Sequence, residues 1–471
     1  MSETSETNPS HVAAVPAVPA PAVPAPAPLR RNRGFMLFWT GQSISLLGDQ
    51  VSLLALPLIA IALLHASTFQ VSALTAATWL PAILGAAAGT WIDRRPNKRA
   101  IMLSADLGRA LILLSIPVAA LLGHVTLVQL YLVALLTGAI SMLFNTTYYA
   151  FFARLVPQES YIAANTRLST SQSAAYVAGP ALGGVLVQAL TAPLAVLVDA
   201  ASFLASAALI WRIRLPAKES EPEISEGDAE EPDPAAPSFR RELKQGWDFV
   251  IHDPIMRASL AGTATINFFT FLTGTSLIVL FATRALGLSA AIIGVALGAG
   301  ATGALLGALL AGRAAAWLGV GRTVAAAAVL FPAPFALIAA AGGPTGLRAG
   351  VLGAAEFFAG FGVMLFDVNQ NAILTAAVPD GMRARVTGLY SSINYGVRPA
   401  AALVGGLLAT HVGLRATFLA VAVGGSLSLV WFLVSPIPLI KTIDDVRHVR
   451  HADDADDADD ADDVAAPRTV P

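Results

Sequence analysis

Long apolar runs separated by short polar turns dominate the chain, and twelve of them approach or exceed the roughly 20 residues a helix needs to cross a bilayer. Six fall at 35–64, 70–92, 100–122, 127–153, 161–190 and 194–213. Residues 215–250 break the pattern with KESEPEISEGDAEEPDPAAPSFRRELKQGW, an acidic, proline-bearing connector that cannot bury enough apolar surface to fold alone. Six further runs follow at 257–283, 289–313, 320–342, 346–377, 384–410 and 414–435. The pattern predicts an all-α membrane protein of twelve transmembrane helices in two six-helix halves, 35–214 and 251–436. A Pro/Ala-rich segment, 1–34, precedes them, and an acidic tail, 437–471, with the repeat ADDADDADDADD, follows.

Composition agrees. Charged residues make up 13% of the chain, against roughly 25% in soluble proteins, which excludes an ordinary soluble enzyme. The absence of cysteine removes disulfides, thiolate metal sites and cysteine nucleophiles. No phosphate-cradling G-x-x-x-x-G-K-[ST] is present, so ATP is not the expected energy source, and no histidine falls in a metal-binding motif. No cofactor and no metal are expected. Pro16, Pro19, Pro21, Pro24, Pro26 and Pro28 are incompatible with a signal-peptide helix, so the first span is expected to act as its own uncleaved signal.

The cations give a topology. Of 29 Lys and Arg, only Arg284, Arg348 and Arg415 fall on the outer side of a twelve-span arrangement, and Arg109 and Arg398 lie within spans. The others sit on the inner side, which predicts a multi-pass protein of the cell membrane with both termini and the connector cytoplasmic.

The halves also repeat. Met142–Pro157 aligns without gaps on Met364–Pro379 at an offset of 222, with six of sixteen positions identical, and the same offset carries Gly183-Gly184 onto Gly405-Gly406. Spans 4 and 5 therefore correspond to spans 10 and 11, a parallel internal repeat.

Between spans 2 and 3 lies GTWIDRRPNKR, a knot of charge between apolar runs. It resembles the loop signature of the major facilitator superfamily, G-x-x-x-D-R-x-x-R-[RK], carried here by Gly89, Asp93, Arg94 and Lys98, with the basic pair displaced by one residue to Lys98 and Arg99. The resemblance implies a cytoplasmic gate; a purely topogenic cluster of cations is the alternative. In span 5, SQSAAYVAGPALGG resembles the superfamily's antiporter signature G-P-x-x-G-G through Gly179, Pro180, Gly183 and Gly184. Proline bends the helix and glycine admits a neighbouring backbone, so this stretch is either a pivot packed against the other half or a packing site with no coupling role.

An ionisable group inside a span costs roughly 2.5–3.5 kcal/mol on insertion scales and is usually functional or paired. Asp49, beside Gln50 in LLGDQVS, is the leading candidate for a carboxyl that takes up and releases a proton; a structural ion pair is the alternative. Asp106 and Arg109, spaced i and i+3, are expected to pair locally and to extend the gate network. Asp367 lies among Asn369, Gln370 and Asn371, which suggests a wet surface or a gate. Glu356 and Arg398 could pair between spans 10 and 11 or bind a substrate carboxylate, and Asp199 reads most simply as a boundary residue of span 6.

WTGQSISLLGDQVSLLALP, ADLGRA and LVPQESYIAAN resemble the bacterial branch of the superfamily that includes drug, macrolide and siderophore exporters. The resemblance implies a secondary active exporter, an antiporter driven by the proton gradient, moving a hydrophobic or amphipathic small molecule. The implied partners are the bilayer, that solute and protons, with no nucleic acid and a monomeric state. Lysophospholipid or other lipid movement is a rival within transport. A non-transporting membrane sensor with the same fold is a rival of another class.

Overall fold

The computed structural model describes residues 29–84, 92, 95, 97–214 and 239–446, and every regular element among them is helical. Span 1 is Arg33–Leu58, started by Asn32, whose side chain accepts the Phe35 N–H at 2.9 Å. Pro57 removes a ladder donor near its far end, and the helix widens into a π turn at Ile59–Leu63. Span 2 is Thr68–Trp79, tightening to a 3-10 turn at Leu80–Leu84 around Pro81. Span 3 is Lys98–Leu121, span 4 Leu127–Leu155, span 5 Tyr161–Leu190 and span 6 Ala192–Arg212.

In the second half, span 8 is Ala290–Leu318, span 10 Thr345–Ala377 and span 11 Arg383–His411. Three spans read as continuous in the sequence are broken. Span 7 runs Pro254–Phe271 and Gly274–Arg284, span 9 runs Val320–Leu330 and Phe335–Ala340, and span 12 runs Leu414–Ser426 and Ser428–Leu433. The break in span 9 follows from Pro332 and Pro334, which withhold two donors within three residues. In span 7 the turn needs Gly274, at φ +47°, where a Cβ would also stand 2.9 Å from Thr75 Cγ2 of span 2.

Ten described segments are long and apolar enough to cross a bilayer by themselves. The two others are span 2, described from Thr68 to Leu84, and span 11, which carries Arg383, Arg385 and Arg398. Turns at the end away from the termini are held by side-chain caps. Ser67 accepts the Gln70 N–H at 3.3 Å while Gln70 Oε1 accepts the Ser67 N–H at 2.8 Å, and Thr126 caps span 4.

The connector's final residues depart from the expected loop: Phe239–His252 is a helix of 14 residues. Its apolar positions recur with helical period, so one side can be buried. Val250 is fully buried, Gly246 lies against the Arg385 backbone, and Arg385 Nη1 donates to Gln245 Oε1 at 2.9 Å. Gly89, Asp93 and Arg94 of the loop signature lie outside the described residues, as do 215–238.

The halves meet toward the end away from the termini. Arg284 Nη2 donates to the Ala66 carbonyl at 2.8 Å, the Ala291 N–H to Gln188 Oε1 at 3.3 Å, Ser72 Oγ to the Ala402 carbonyl at 2.5 Å and Thr75 Oγ1 to Ser276 Oγ at 2.8 Å. Among the described residues the close backbone approaches between the halves, such as Gly184 on Ala290, gather at that end, and a central cavity lies between the halves.

Candidate functional site

The central cavity holds about 1080 Å³. Leu53, Leu56, Leu113, Ile278, Phe331 and Phe335 supply much of an apolar wall, so the few polar groups among them stand out. One group is built from spans 1, 3 and 6. Asp49 is central in the 31-residue segment Arg33–Leu63 and opens to the cavity, and Asp199 of span 6 stands opposite it. Glycine at position 48 permits this approach: a Cβ there would stand 2.6 Å from Asp199 Oδ1 and 2.8 Å from Ser202 Cβ. Asp199 is 1% exposed and accepts hydrogen bonds from Ser52 Oγ of span 1 and, at 3.3 Å, from Ser202 Oγ. It is thus a constructed part of the site and not a boundary residue.

Arg109 pairs with Asp106 as their spacing requires, and both are buried. The guanidinium carbon lies 4.1 Å from the Phe203 ring centre and 4.6 Å from that of Phe144, and Nη1 reaches Ser141 Oγ at 3.4 Å. The pair lies beside Asp49. Three carboxyls therefore surround one guanidinium. Asp93 and Arg94, whose network the pair was expected to extend, lie outside the described residues.

On the opposite wall Arg398 of span 11 is ringed by aromatics, its guanidinium carbon 4.4 Å from the centre of Trp79, 4.5 Å from Phe271 and 4.5 Å from Tyr395. Trp79 comes from the first half and stacks on Tyr395 with the planes 9° apart, so the cage joins the halves near mid-span. Arg398 Nε donates to Asn267 Oδ1 at 3.2 Å. Beyond it lies a smaller chamber of about 410 Å³, lined among others by Asp367, Gln370, Asn371, Tyr390 and Asn394.

The Major Facilitator Superfamily sequence profile matches residues 38–399 and 263–452. The chain belongs to the major facilitator superfamily. An uncharacterised transporter of that type from Bacillus subtilis (strain 168), YfiS, is 26% identical over 401 residues, covering 83% of this chain and 91% of its own. Among solved structures, a bacterial homologue of the iron transporter ferroportin in its inward-facing state overlays with a TM-score of 0.66 at 16% identity, over 86% of this chain and 99% of that one. A single-residue mutant of the nucleoside transporter NupG overlays with a TM-score of 0.63 at 14% identity, over 86% of this chain and 99% of that one. This superfamily member is a multi-pass membrane transporter and not an enzyme.

The transporter distributes the other sequence candidates unevenly. Gln50 turns away from Asp49 into the seam between spans 1 and 5, where a Cβ at Gly179 would stand 2.6 Å from Gln50 Cβ. Gly183 meets Val51 and Gln50 of the same half, so it is not the contact with the other half. That contact is made by Gly184, against Ala290 and Ala291 of span 8, and by Pro180, whose backbone meets Gly294. Glu356 and Arg398 do not pair: Glu356 lies against Gly300 of span 8, and its Oε1 is buried with no hydrogen-bond partner. Sharing adjacent spans did not place them on facing sides. Arg99 Nε donates to the Ile210 carbonyl at 3.2 Å and Nη2 to that of Trp211, at the negative end of span 6, while Lys98 donates to the Ile92 carbonyl.

Sequence reasoning missed Ser52, Ser202 and the Trp79–Phe271–Tyr395 cage. A polar residue three positions after Asp49 and another three after Asp199, each on its carboxyl's helical face, was the available signal for the two serines.

Proposed function

We propose that the chain is a proton-coupled exporter, an antiporter, of a hydrophobic or amphipathic small molecule. In this reading it is a monomer in the cell membrane with both termini in the cytoplasm, so the described state opens inward. The observation that supports it is the cluster of Asp49, Asp199 and Arg109, with Asp106 paired behind them, on the wall of a large apolar cavity between the halves.

The apolar wall accepts the body of the solute. Asp49 and Asp199 are the groups through which solute and proton compete: binding from the inward-open state displaces protons, and return of protons from the outer side releases the solute there. Asp106 is spent on Arg109, which leaves Asp49 and Asp199 as the exchanging carboxyls. Span 5 supplies the seam at which the halves close, through Pro180 and Gly184, while Gly179 and Gly183 on its other face hold it against span 1 of its own half. Asp93, Arg94, Lys98 and Arg99, with Gly89, form the cytoplasmic gate in this scheme.

The test is transport by proteoliposomes under an imposed pH gradient with tetraphenylphosphonium and rhodamine 6G as probes. Accumulation should follow the proton gradient, stop on its collapse and be lost in Asp49→Asn. Gradient-independent equilibration, or uphill movement undiminished in Asp49→Asn, would overturn the proposal.

A further inference from the structure

We propose that the smaller chamber in the second half binds a zwitterionic head group, with Asp367 taking its cationic part and Arg398 its anionic part. The inference rests on the reading of the chain as a carrier of an amphipathic molecule and specifies its polar end.

The chamber and the central cavity share Phe271, Tyr395 and Arg398 as a common wall, so one solute can occupy both. The chamber is far more polar than the cavity it adjoins. Asp367 and Arg398 carry opposite charges on its surface, where Arg383 is engaged with a partner of its own, yet Asp367 and Arg398 are not within ion-pair distance of each other. Among the described residues Asp367 receives no hydrogen bond, and Arg398 uses only Nε, on Asn267, which leaves both terminal nitrogens of the guanidinium for a ligand. A chain that needed only to neutralise these charges would be expected to close the pair.

A second, independent feature points the same way. Gln370 is 2% exposed, and neither its Nε2 nor its Oε1 has a partner in hydrogen-bonding geometry; Asn394 Oδ1 is also buried and unpartnered. The Tyr390 hydroxyl, which lies close to the Gln370 side chain, donates to Thr263 Oγ1 at 2.6 Å and leaves the Gln370 amide without a well-formed bond. Buried amides are left unpaired at a cost, and here they border a space. Gln370 offers an NH2 donor group and a carbonyl acceptor beside a carboxylate and a guanidinium, and Asn371 extends the polar lining.

A lone cation would leave Arg398 unmatched, a lone anion would leave Asp367 unmatched, and a neutral head would leave both. A group carrying both charges satisfies both and can hydrogen-bond the amides. The volume of about 410 Å³ suits a head group, with the apolar remainder on Phe271 and Tyr395 in the larger cavity.

The experiment is equilibrium binding to the purified full chain of three probes that share a phenyl body: phenylalanine (zwitterion), phenethylamine (cation) and 3-phenylpropionate (anion). Phenylalanine should bind at least about ten-fold more tightly than either analogue. Asp367→Asn should reduce it to the level of 3-phenylpropionate, and Arg398→Gln to that of phenethylamine, with each variant's binding of the matched analogue unchanged. Displacement of phenylalanine by lysophosphatidylcholine would assign the head group to a lipid, and lack of displacement to a free solute; both keep the zwitterion. Affinities within two-fold of one another, or a ranking unmoved by both variants, would overturn the inference. Rhodamine 6G separates this failure from failure of the carrier reading: if the dye binds and the head-group preference is absent, only the zwitterion site falls. If neither the dye nor any probe binds, both fall.

Discussion

Replacing Gly184 with leucine should hold the two halves apart at the end away from the termini. A Cβ at this position would stand 3.0 Å from Ala291 Cα and 3.1 Å from the Ala290 carbonyl carbon, backbone atoms of span 8 that cannot rotate aside. Overpacking of this kind costs about 1–3 kcal/mol. The contact exists only while those ends are closed, so the cost falls on the described state alone and shifts the population toward the opposite opening by about 5- to 160-fold. The chain has no cysteine, which makes Asn145→Cys, on the cavity wall, a clean reporter. Its modification by a membrane-impermeant maleimide added on the side bearing the termini should slow in Gly184→Leu, by up to that factor. Gly183→Leu is the control, because its neighbours, Val51 Cα at 3.1 Å and the Gln50 carbonyl oxygen at 3.2 Å, belong to the same half and move with it. It should lower thermal stability and leave labelling unchanged. Wild-type labelling in a folded Gly184→Leu protein, or equal slowing in both variants, would refute the argument.

Gly48→Ala should lower the melting temperature, since overpacking against Asp199 and Ser202 costs about 1–3 kcal/mol, whereas Gly312→Ala, with nothing within 4 Å of the new methyl, should not; equal melting temperatures in a thermal-shift assay would contradict this. Asp106→Asn removes the direct ion-pair partner of the buried Arg109 and leaves only Asp49 and Asp199 near it, so it should reduce membrane yield. Adding Arg109→Met should restore yield without restoring transport, and a double variant with full transport would remove Arg109 from the site.

The helices were legible because hydropathy and length are local properties, and the internal repeat added the division into halves. Asp49, Asp106 and Arg109 were legible one by one, since each interrupts an apolar run. Their assembly was not, because which faces of spans 1, 3 and 6 meet depends on packing. Asp199 lies about two turns into a helix that begins at Ala192, yet it looked terminal in a span whose ends were drawn from hydropathy alone. Only the contact through Gly48 and Ser52 shows that it belongs with Asp49. Glu356 and Arg398 failed as a pair for the same reason: neighbouring spans do not fix neighbouring faces, and Glu356 is turned to the glycines of span 8. Pro332 and Pro334 were visible as helix breakers, yet the surrounding apolar run concealed that span 9 is two pieces.

Proton release on solute binding tests the account most directly. Purified wild-type chain in weakly buffered detergent, mixed with tetraphenylphosphonium, should release protons as the cation replaces them beside Asp49 and Asp199. Asp49→Asn and Asp199→Asn should each release fewer while still binding the probe. Release of the same number of protons by wild type and both variants would place the coupling site elsewhere and contradict the central claim.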